Sequence, residues 1–233
     1  MTSDDLKSEF ERAWAACQTL TSLRLVEDTL ESEWKRGRSE YLAFLIPIED
    51  AAVRAYCTRI VDRIAPIQGV EPYPQSYWHV TVKGLGFQTK DGSRRDELSQ
   101  SDVDRIAAAA QPIVSTTASF EMQAGRIALF PEVVIVEAWD SLPVRDLNSS
   151  LLERIPDLIR YPFDGSAFLP HISIARFTSS DGLPQLKEAI ASLRDEQAGP
   201  PFRVAQVDLI RAHLSARAPT FEAIASYPLA NPH

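Results

Sequence analysis

The sequence predicts an α+β fold of two similar lobes around one cleft, preceded by a helical extension. Three observations carry that prediction. The order strand, helix, histidine-bearing strand, helix occurs twice along the chain. The two histidine-bearing segments, Tyr77-Trp78-His79-Val80-Thr81-Val82 and Leu169-Pro170-His171-Ile172-Ser173-Ile174, carry the same polar signature. The first 38 residues read as helix and stand apart from the repeated order.

In the extension, Leu6, Phe10, Trp14 and Cys17 recur at helical spacing behind Ser3, read as the cap. Leu23, Val26, Leu30 and Trp34 repeat the spacing and Gly37 is a stop. Residues 1–38 are therefore expected to pack as a helical extension on a main domain of residues 39–233, with a loose oligomerisation arm as the alternative. There, Tyr41 to Ile46 is a continuous apolar run, as in a buried strand. Asp50 caps a helix with Val53, Tyr56, Cys57, Ile60 and Ile64 inward, and Pro66, Gly69, Pro72 and Pro74 break the chain before the first histidine strand. The polar turn Thr89–Arg95 leads to a helix with Ser101 as its cap and Val103, Ile106, Ala110 and Ile113 inward. Strands at Phe120–Leu129 and Val133–Ala138 flank a turn at Phe130-Pro131-Glu132. Ser141 opens a helix that tolerates Pro143 in its first turn, with Val144, Leu147, Leu151 and Ile155 inward. The second histidine strand spans Leu169–Phe177, and a helix runs from Pro184 to Glu196. The chain closes as a hairpin of Phe202–Leu214 and Phe221–Tyr227, turning through Ala216–Pro219.

Composition bounds the function. With 233 residues, 45% hydrophobic and 24% charged, the chain has ample material for a core. A net charge of −8 argues against a long footprint on polymeric nucleic acid, which needs a basic face, but leaves room for a pocket for one nucleotide. Cys17 and Cys57 sit at apolar helical positions and read as buried free thiols. The acidic start has no apolar core behind it, and the longest apolar runs are too short to span a bilayer. These features predict a cytoplasmic monomer with no membrane contact.

The two motifs carry the chemistry. A strand has a side-chain period of two, so His79 and Thr81 share one face while Val80 and Val82 share the other. The same alternation groups His171 with Ser173. Two imidazoles and two hydroxyls in one cleft supply proton transfer near neutrality and donors for phosphate oxygens. Lys83 falls on the His79 and Thr81 face of a regular strand, where it either assists a phosphate or is solvated. Arg176 falls on the face opposite His171. Trp78, Tyr73, Phe87 and Phe168 flank the motifs and either stack on a base or pack. A third match, His213-Leu214-Ser215, runs into a turn and lacks the apolar context, so it reads as incidental. No metal motif, dinucleotide loop, Walker A loop or serine-hydrolase elbow is present.

His79-Val80-Thr81-Val82-Lys83-Gly84-Leu85-Gly86-Phe87 and Pro170-His171-Ile172-Ser173-Ile174-Ala175-Arg176 resemble the paired motifs of the 2H phosphoesterase superfamily. Within it, they are most similar to the 2′-5′ RNA ligase-like proteins that act as 2′,3′-cyclic phosphodiesterases. Gly125–Pro131 and the closing hairpin are similar to that branch as well, so the resemblance spans residues 39–229. It implies a bilobal α+β fold, with two pseudo-symmetric lobes of antiparallel sheet flanking a central cleft. It also implies no metal and no cofactor, a nucleotide or RNA-end substrate, His79 as general acid, His171 as general base and Arg176 near the substrate. Two departures stand out: the extension lies outside the family's minimal domain, and Gly84 occupies a position where a bulky apolar residue is common. The same four residues would also serve a 2′-5′ oligonucleotide phosphodiesterase or ligase, or a hydrolase of an ADP-ribose cyclic phosphate. A non-catalytic RNA- or nucleotide-binding module is the remaining alternative, although binding alone does not require two titrating groups.

Overall fold

A computed structural model of the chain describes residues 2–26, 34–214 and 218–231. Leu30 of the expected second helical stretch, and Ala216 and Arg217 of the closing turn, lie outside the described residues. Helix α1 (Ser3–Gln18) precedes β1 (Glu40–Pro47), α2 (Ala51–Ile64), β2 (Val70–Pro72), β3 (His79–Gln88) and β4 (Glu97–Leu98). Then come α3 (Gln100–Val114), β5 (Phe120–Phe130), β6 (Val133–Trp139), α4 (Leu142–Arg154), β7 (His171–Phe177) and α5 (Leu183–Arg194). Strands β8 (Pro201–Val204), β9 (Gln206–His213) and β10 (Thr220–Pro228) close the chain. No described helix is long and apolar enough to cross a membrane.

The strands form one ten-stranded sheet in the order β10-β9-β1-β3-β7-β6-β5-β8, with β2 beside β7 and β4 beside β3. All pairings are antiparallel except β3 with β4. The order is symmetric about its centre: β3 answers β7, β1 answers β6, β9 answers β5 and β10 answers β8. The two lobes are thus halves of one sheet, joined by a single pair of Cα partners, Val80 and Ile172. The motif strands lie side by side at that junction rather than on opposite walls.

Alternation along the strands sorts the core into layers. Leu42, Phe44, Ile46, Val80, Val82, Val134, Val136, Ile172 and Ile174 face α2, α3, α4 and α5 in the main cluster. Each such buried aliphatic side chain is worth roughly 1.5–3 kcal/mol relative to exposure. The opposite, concave face carries two smaller clusters, one per half. Ala43, Leu45, Ile210 and Ala212 form the first, and Ala128, Val133 and Ile135 join Leu6 and Phe10 of α1 in the second.

Three local expectations are corrected. Thr2 rather than Ser3 caps α1, because its hydroxyl accepts from the Asp5 amide while the Asp5 carboxylate accepts from the Thr2 amide. Ser99 rather than Ser101 caps α3 through the same reciprocal pair with Asp102. The expected strand Phe202–Leu214 breaks at Ala205, whose carbonyl accepts from the Leu229 amide instead of a ladder partner. As a result β8 edges one half beside β5, and β9 crosses to the other half beside β1.

Candidate active site

The antiparallel step at Val80 and Ile172 turns both of those side chains into the core. Their neighbours His79, Thr81, His171 and Ser173 are therefore presented, half-buried, on the concave face. The register sets His79 beside Ser173 and Thr81 beside His171.

Each histidine is held in the same way. His79 Nδ1 lies 2.6 Å from the Tyr77 carbonyl oxygen, and His171 Nδ1 lies 2.7 Å from that of Leu169. A carbonyl only accepts, so Nδ1 carries the proton in both rings and Nε2 is left as the basic nitrogen. In each case the carbonyl lies two residues upstream, where a 3-10 turn feeds the strand: Gln75–Tyr77 before His79 and Gly165–Ala167 before Pro170 and His171. Aromatic edges complete the support. The His79 ring meets Tyr77 at 5.1 Å and Phe221 at 5.0 Å, and the His171 ring meets Phe130 at 5.1 Å. Burial lowers the pKa of both imidazoles, that of His79 to about 4, where the nearby His171 adds to the shift. Both rings are neutral at pH 7 in the free protein.

The histidines open into a cavity of about 510 Å³. Its walls are largely apolar: Leu45, Tyr77 and Phe221 beside His79, Phe130, Val133 and Leu169 beside His171, and Trp34 and Phe163 further out. Trp34 and Phe163 are the two exposed large hydrophobic residues among those described. Thr81 lines the cavity, and Glu132 is its one described carboxylate. No lysine or arginine is among the described lining residues. Ser173 shares the face of His171 but does not line the cavity. Sequence reasoning missed Tyr77, Phe130, Phe163, Phe221 and Glu132. Their one signal is position, since each sits in a turn or at a strand end next to a motif or hairpin.

Lys83 is placed against expectation. A β-bulge at Val82 shifts the register, so that Leu45 pairs with Thr81 but Phe44 pairs with Lys83. The bulge turns Lys83 to the helix side, where it is fully buried and 2.9 Å from the Asp164 carboxylate. Lys83 Nζ also donates to the Gly84 carbonyl, and Asn148 Nδ2 donates to the Val82 carbonyl and to Asp164. These side chains satisfy the carbonyls that the bulge takes out of register. Asp164 accepts from the Tyr161 amide and Asn148 from the Gly165 amide. The same network therefore fixes the 161–168 segment that contributes Phe163, Ala167 and Phe168 to the cavity wall.

The corresponding bulge occurs in the second motif strand. Ser173 pairs with Ile135 but Ala175 pairs with Val134, so Ile174 is the extra residue. Arg176 is thereby returned to the concave side, pairing with Val133, and not to the face opposite His171. It does not line the cavity: it is buried in an ion pair with Glu71 at 2.9 Å, 5.5 Å from the Tyr73 ring, which stacks on Tyr77. Gly84 stands where Arg176 stands in the other half. A Cβ there would meet the Tyr41 hydroxyl at 2.5 Å, so Tyr41, bonded to Tyr161, fills the space of a larger side chain.

Of the flanking aromatics, Trp78 and Phe87 are core residues outside the cavity, and Tyr73 packs behind Tyr77. Phe168 is buried with one side on the cavity. His213 ends β9 beside Glu222 at 3.2 Å, away from the cavity. Cys17 and Cys57 are buried free thiols. No cluster of three or more His, Cys, Asp or Glu side chains suited to a metal occurs among the described residues.

The 2′-5′ RNA ligase superfamily profile matches residues 48–216, which hold both motifs. No curated protein matches the sequence significantly. Among solved structures, TT0787 of Thermus thermophilus is similar over 83% of this chain and 100% of its own, with a TM-score of 0.61 and 17% identity. LigT of E. coli in apo form is similar over 83% of this chain and 99% of its own, with a TM-score of 0.57 and 14% identity. The same protein complexed with 3′-AMP aligns at 0.57 over 82% of this chain and 98% of its own, also at 14% identity.

Proposed function

The chain belongs to the 2′-5′ RNA ligase superfamily, and on that premise we propose that it hydrolyses 2′,3′-cyclic phosphates of nucleotides or short RNA ends without a metal ion. One observation carries the reading: two imidazoles, each locked by an Nδ1–H bond to a carbonyl two residues upstream, open on one cavity. A fold that only bound nucleotides would have no use for two matched Nε2 atoms. The 3′-AMP complex of LigT adds support, since a nucleoside phosphate is the class of product expected here.

In this reading the cyclic phosphate sits between the rings. His171 Nε2 takes a proton from water as its oxygen attacks phosphorus. The bond from phosphorus to one ribose oxygen breaks, and His79 Nε2–H protonates that oxygen. One water is consumed, a monoester and a free hydroxyl result, and the two rings exchange their proton with solvent before the next turnover. Thr81 donates to a non-bridging oxygen, where charge grows in the transition state. His79 is neutral in the free cavity, so it gains its proton only beside the phosphate anion, whose charge raises its pKa. The apolar walls suit a base, and the acidic chain suits a mononucleotide or short end better than a long strand.

The test is turnover by the purified protein of the four 2′,3′-cyclic nucleotides and of 2′-5′-linked oligoadenylate, with products separated chromatographically. Opening of the cyclic nucleotides to monoesters supports the reading. Cleavage of the 2′-5′ linkage alone replaces it with the second substrate class, and no turnover of either overturns it.

A further inference from the structure

The pseudo-symmetric halves of the sheet treat their concave faces differently. In the first half, Ala43, Leu45, Ile210 and Ala212 line the cavity, flanked by Tyr41, Leu214 and Phe221, with no described helix laid over them. In the second half, the equivalent face of β5 and β6 is covered by α1, whose Leu6 and Phe10 are fully buried on Ala128, Val133 and Ile135. The cover is continuous with the cavity wall, because Phe130, Val133 and Leu169 line the cavity and also pack in the α1 cluster. Helix α1 therefore ends the cleft just past His171.

Charge tells the same story. Glu11 pairs with Arg194 at 2.5 Å and with Arg126 at 3.4 Å, and Glu9 pairs with Arg145. Lys7 lies 4.8 Å from the Trp139 ring centroid, and the Arg194 guanidinium lies 5.1 Å from that of Trp14. The segment after α1 is pinned as well: Lys187 donates to the carbonyls of Gln18 and Leu20, and the Arg24 amide donates to the Pro131 carbonyl. Arg126, Arg145 and Arg194 around this half-cleft each meet a carboxylate of α1, Arg194 sharing itself between Glu11 and the buried Glu137, on the side where a longer strand continuing from the bound nucleotide would need cations.

We propose that α1 is a length gate: it occupies the half of the cleft beyond His171, so the site takes a mononucleotide or a short oligonucleotide end and rejects an end that carries a longer strand. This rests on the nucleotide reading of the site given above.

The test compares binding of adenosine 3′-monophosphate and of an RNA decamer bearing a 3′-phosphate, by calorimetry, in the wild type and in Leu6→Asp/Phe10→Asp. Neither ligand needs turnover. Amide exchange of residues 3–18 reports whether α1 is released, and circular dichroism whether the sheet is intact. The wild type should bind the decamer at least about tenfold more weakly than the mononucleotide. Release should remove most of that gap with mononucleotide affinity unchanged, despite two added negative charges. If the double aspartate variant fails to fold, Leu6→Ala/Phe10→Ala is read instead, with partial release and a partial gain. Equal binding of both ligands by the wild type, or release with no gain for the decamer, overturns the gate and leaves the catalytic reading intact. Binding of neither ligand by either form overturns both.

Discussion

Val80 and Ile172 face each other in the one antiparallel step that joins the two halves of the sheet, and every feature of the site is arranged about that pair. On either side of it stand a histidine and a hydroxyl. Three residues after each histidine, at Val82 and at Ile174, comes a bulge. The near-symmetry gives two imidazoles the same tautomer and the same aim. The differences between the halves, Gly84 against Arg176 and a cavity-lining face against one covered by α1, make the site one-sided.

The first prediction concerns pH. The pH dependence of kcat/KM reports the free enzyme, in which burial places both imidazoles below the ordinary histidine value of 6.5, His79 at about 4. One ring must be protonated and the other neutral, and that combination is most populated between the two values. The profile should be a bell with its maximum on the acid side of pH 6.5. The kcat profile should lie at higher pH, because bound phosphate raises both values. Steady-state kinetics from pH 4 to 9 measure both, and a kcat/KM maximum above pH 7 contradicts the assignment.

Tautomer is a separate observable. Nitrogen NMR of labelled protein at pH 7 should place the proton on Nδ1 in both His79 and His171, as their carbonyl partners require. Adding adenosine 3′-monophosphate should protonate at least one ring. An Nε2–H tautomer at either position removes the basis for the paired mechanism.

Lys83 and Asp164 predict a stability effect. Burial pulls the Lys83 pKa down, and Asp164 opposes that shift. Asp164→Ala would leave a fully buried ammonium without its carboxylate, which costs about 3–5 kcal/mol. Lys83→Met should cost less, because Asn148 and the Tyr161 amide still donate to Asp164. Urea unfolding of the two variants gives the order, and equal small losses would show that the pair does not hold the bulge.

His79 also makes stability depend on pH. Its folded pKa lies below the unfolded value, so the unfolded chain takes up the proton first as pH falls. The stability from the buried neutral ring is complete above about pH 6.5 and is lost as pH falls from there toward about 4. The urea midpoint of the wild type should therefore fall more steeply between pH 7 and 4.5 than that of His79→Asn. Parallel curves would mean that the ring is not desolvated.

Much of this was legible in the sequence. Period-two alternation put His79 with Thr81 and His171 with Ser173 and sent their branched neighbours to the core, and the element order foretold the two halves. The bulges were not legible, because nothing in Val82-Lys83 or Ile174-Ala175 marks an extra residue. A regular period therefore sent Lys83 to the histidine face and Arg176 away from it, the reverse of their faces in the structure. Nor was the course of α1 legible: Leu6 and Phe10 announce an apolar face, while the surface that receives it is assembled from β5 and β6, far along the chain. The break at Ala205 escaped for a similar reason, since Phe202 to Leu214 alternates as one strand would and only distant partners divide it.

The most direct test of the central claim is hydrolysis of 2′,3′-cyclic nucleotides in the presence of EDTA by the wild type, His79→Ala and His171→Ala. Two-histidine catalysis predicts that the wild-type rate survives chelation. It predicts that each substitution lowers kcat by about 10²–10⁴-fold, the range typical of losing a general acid or base, with folding unchanged by circular dichroism. Activity retained in either histidine variant, activity abolished by EDTA, or no turnover of any cyclic nucleotide by the wild type would contradict it.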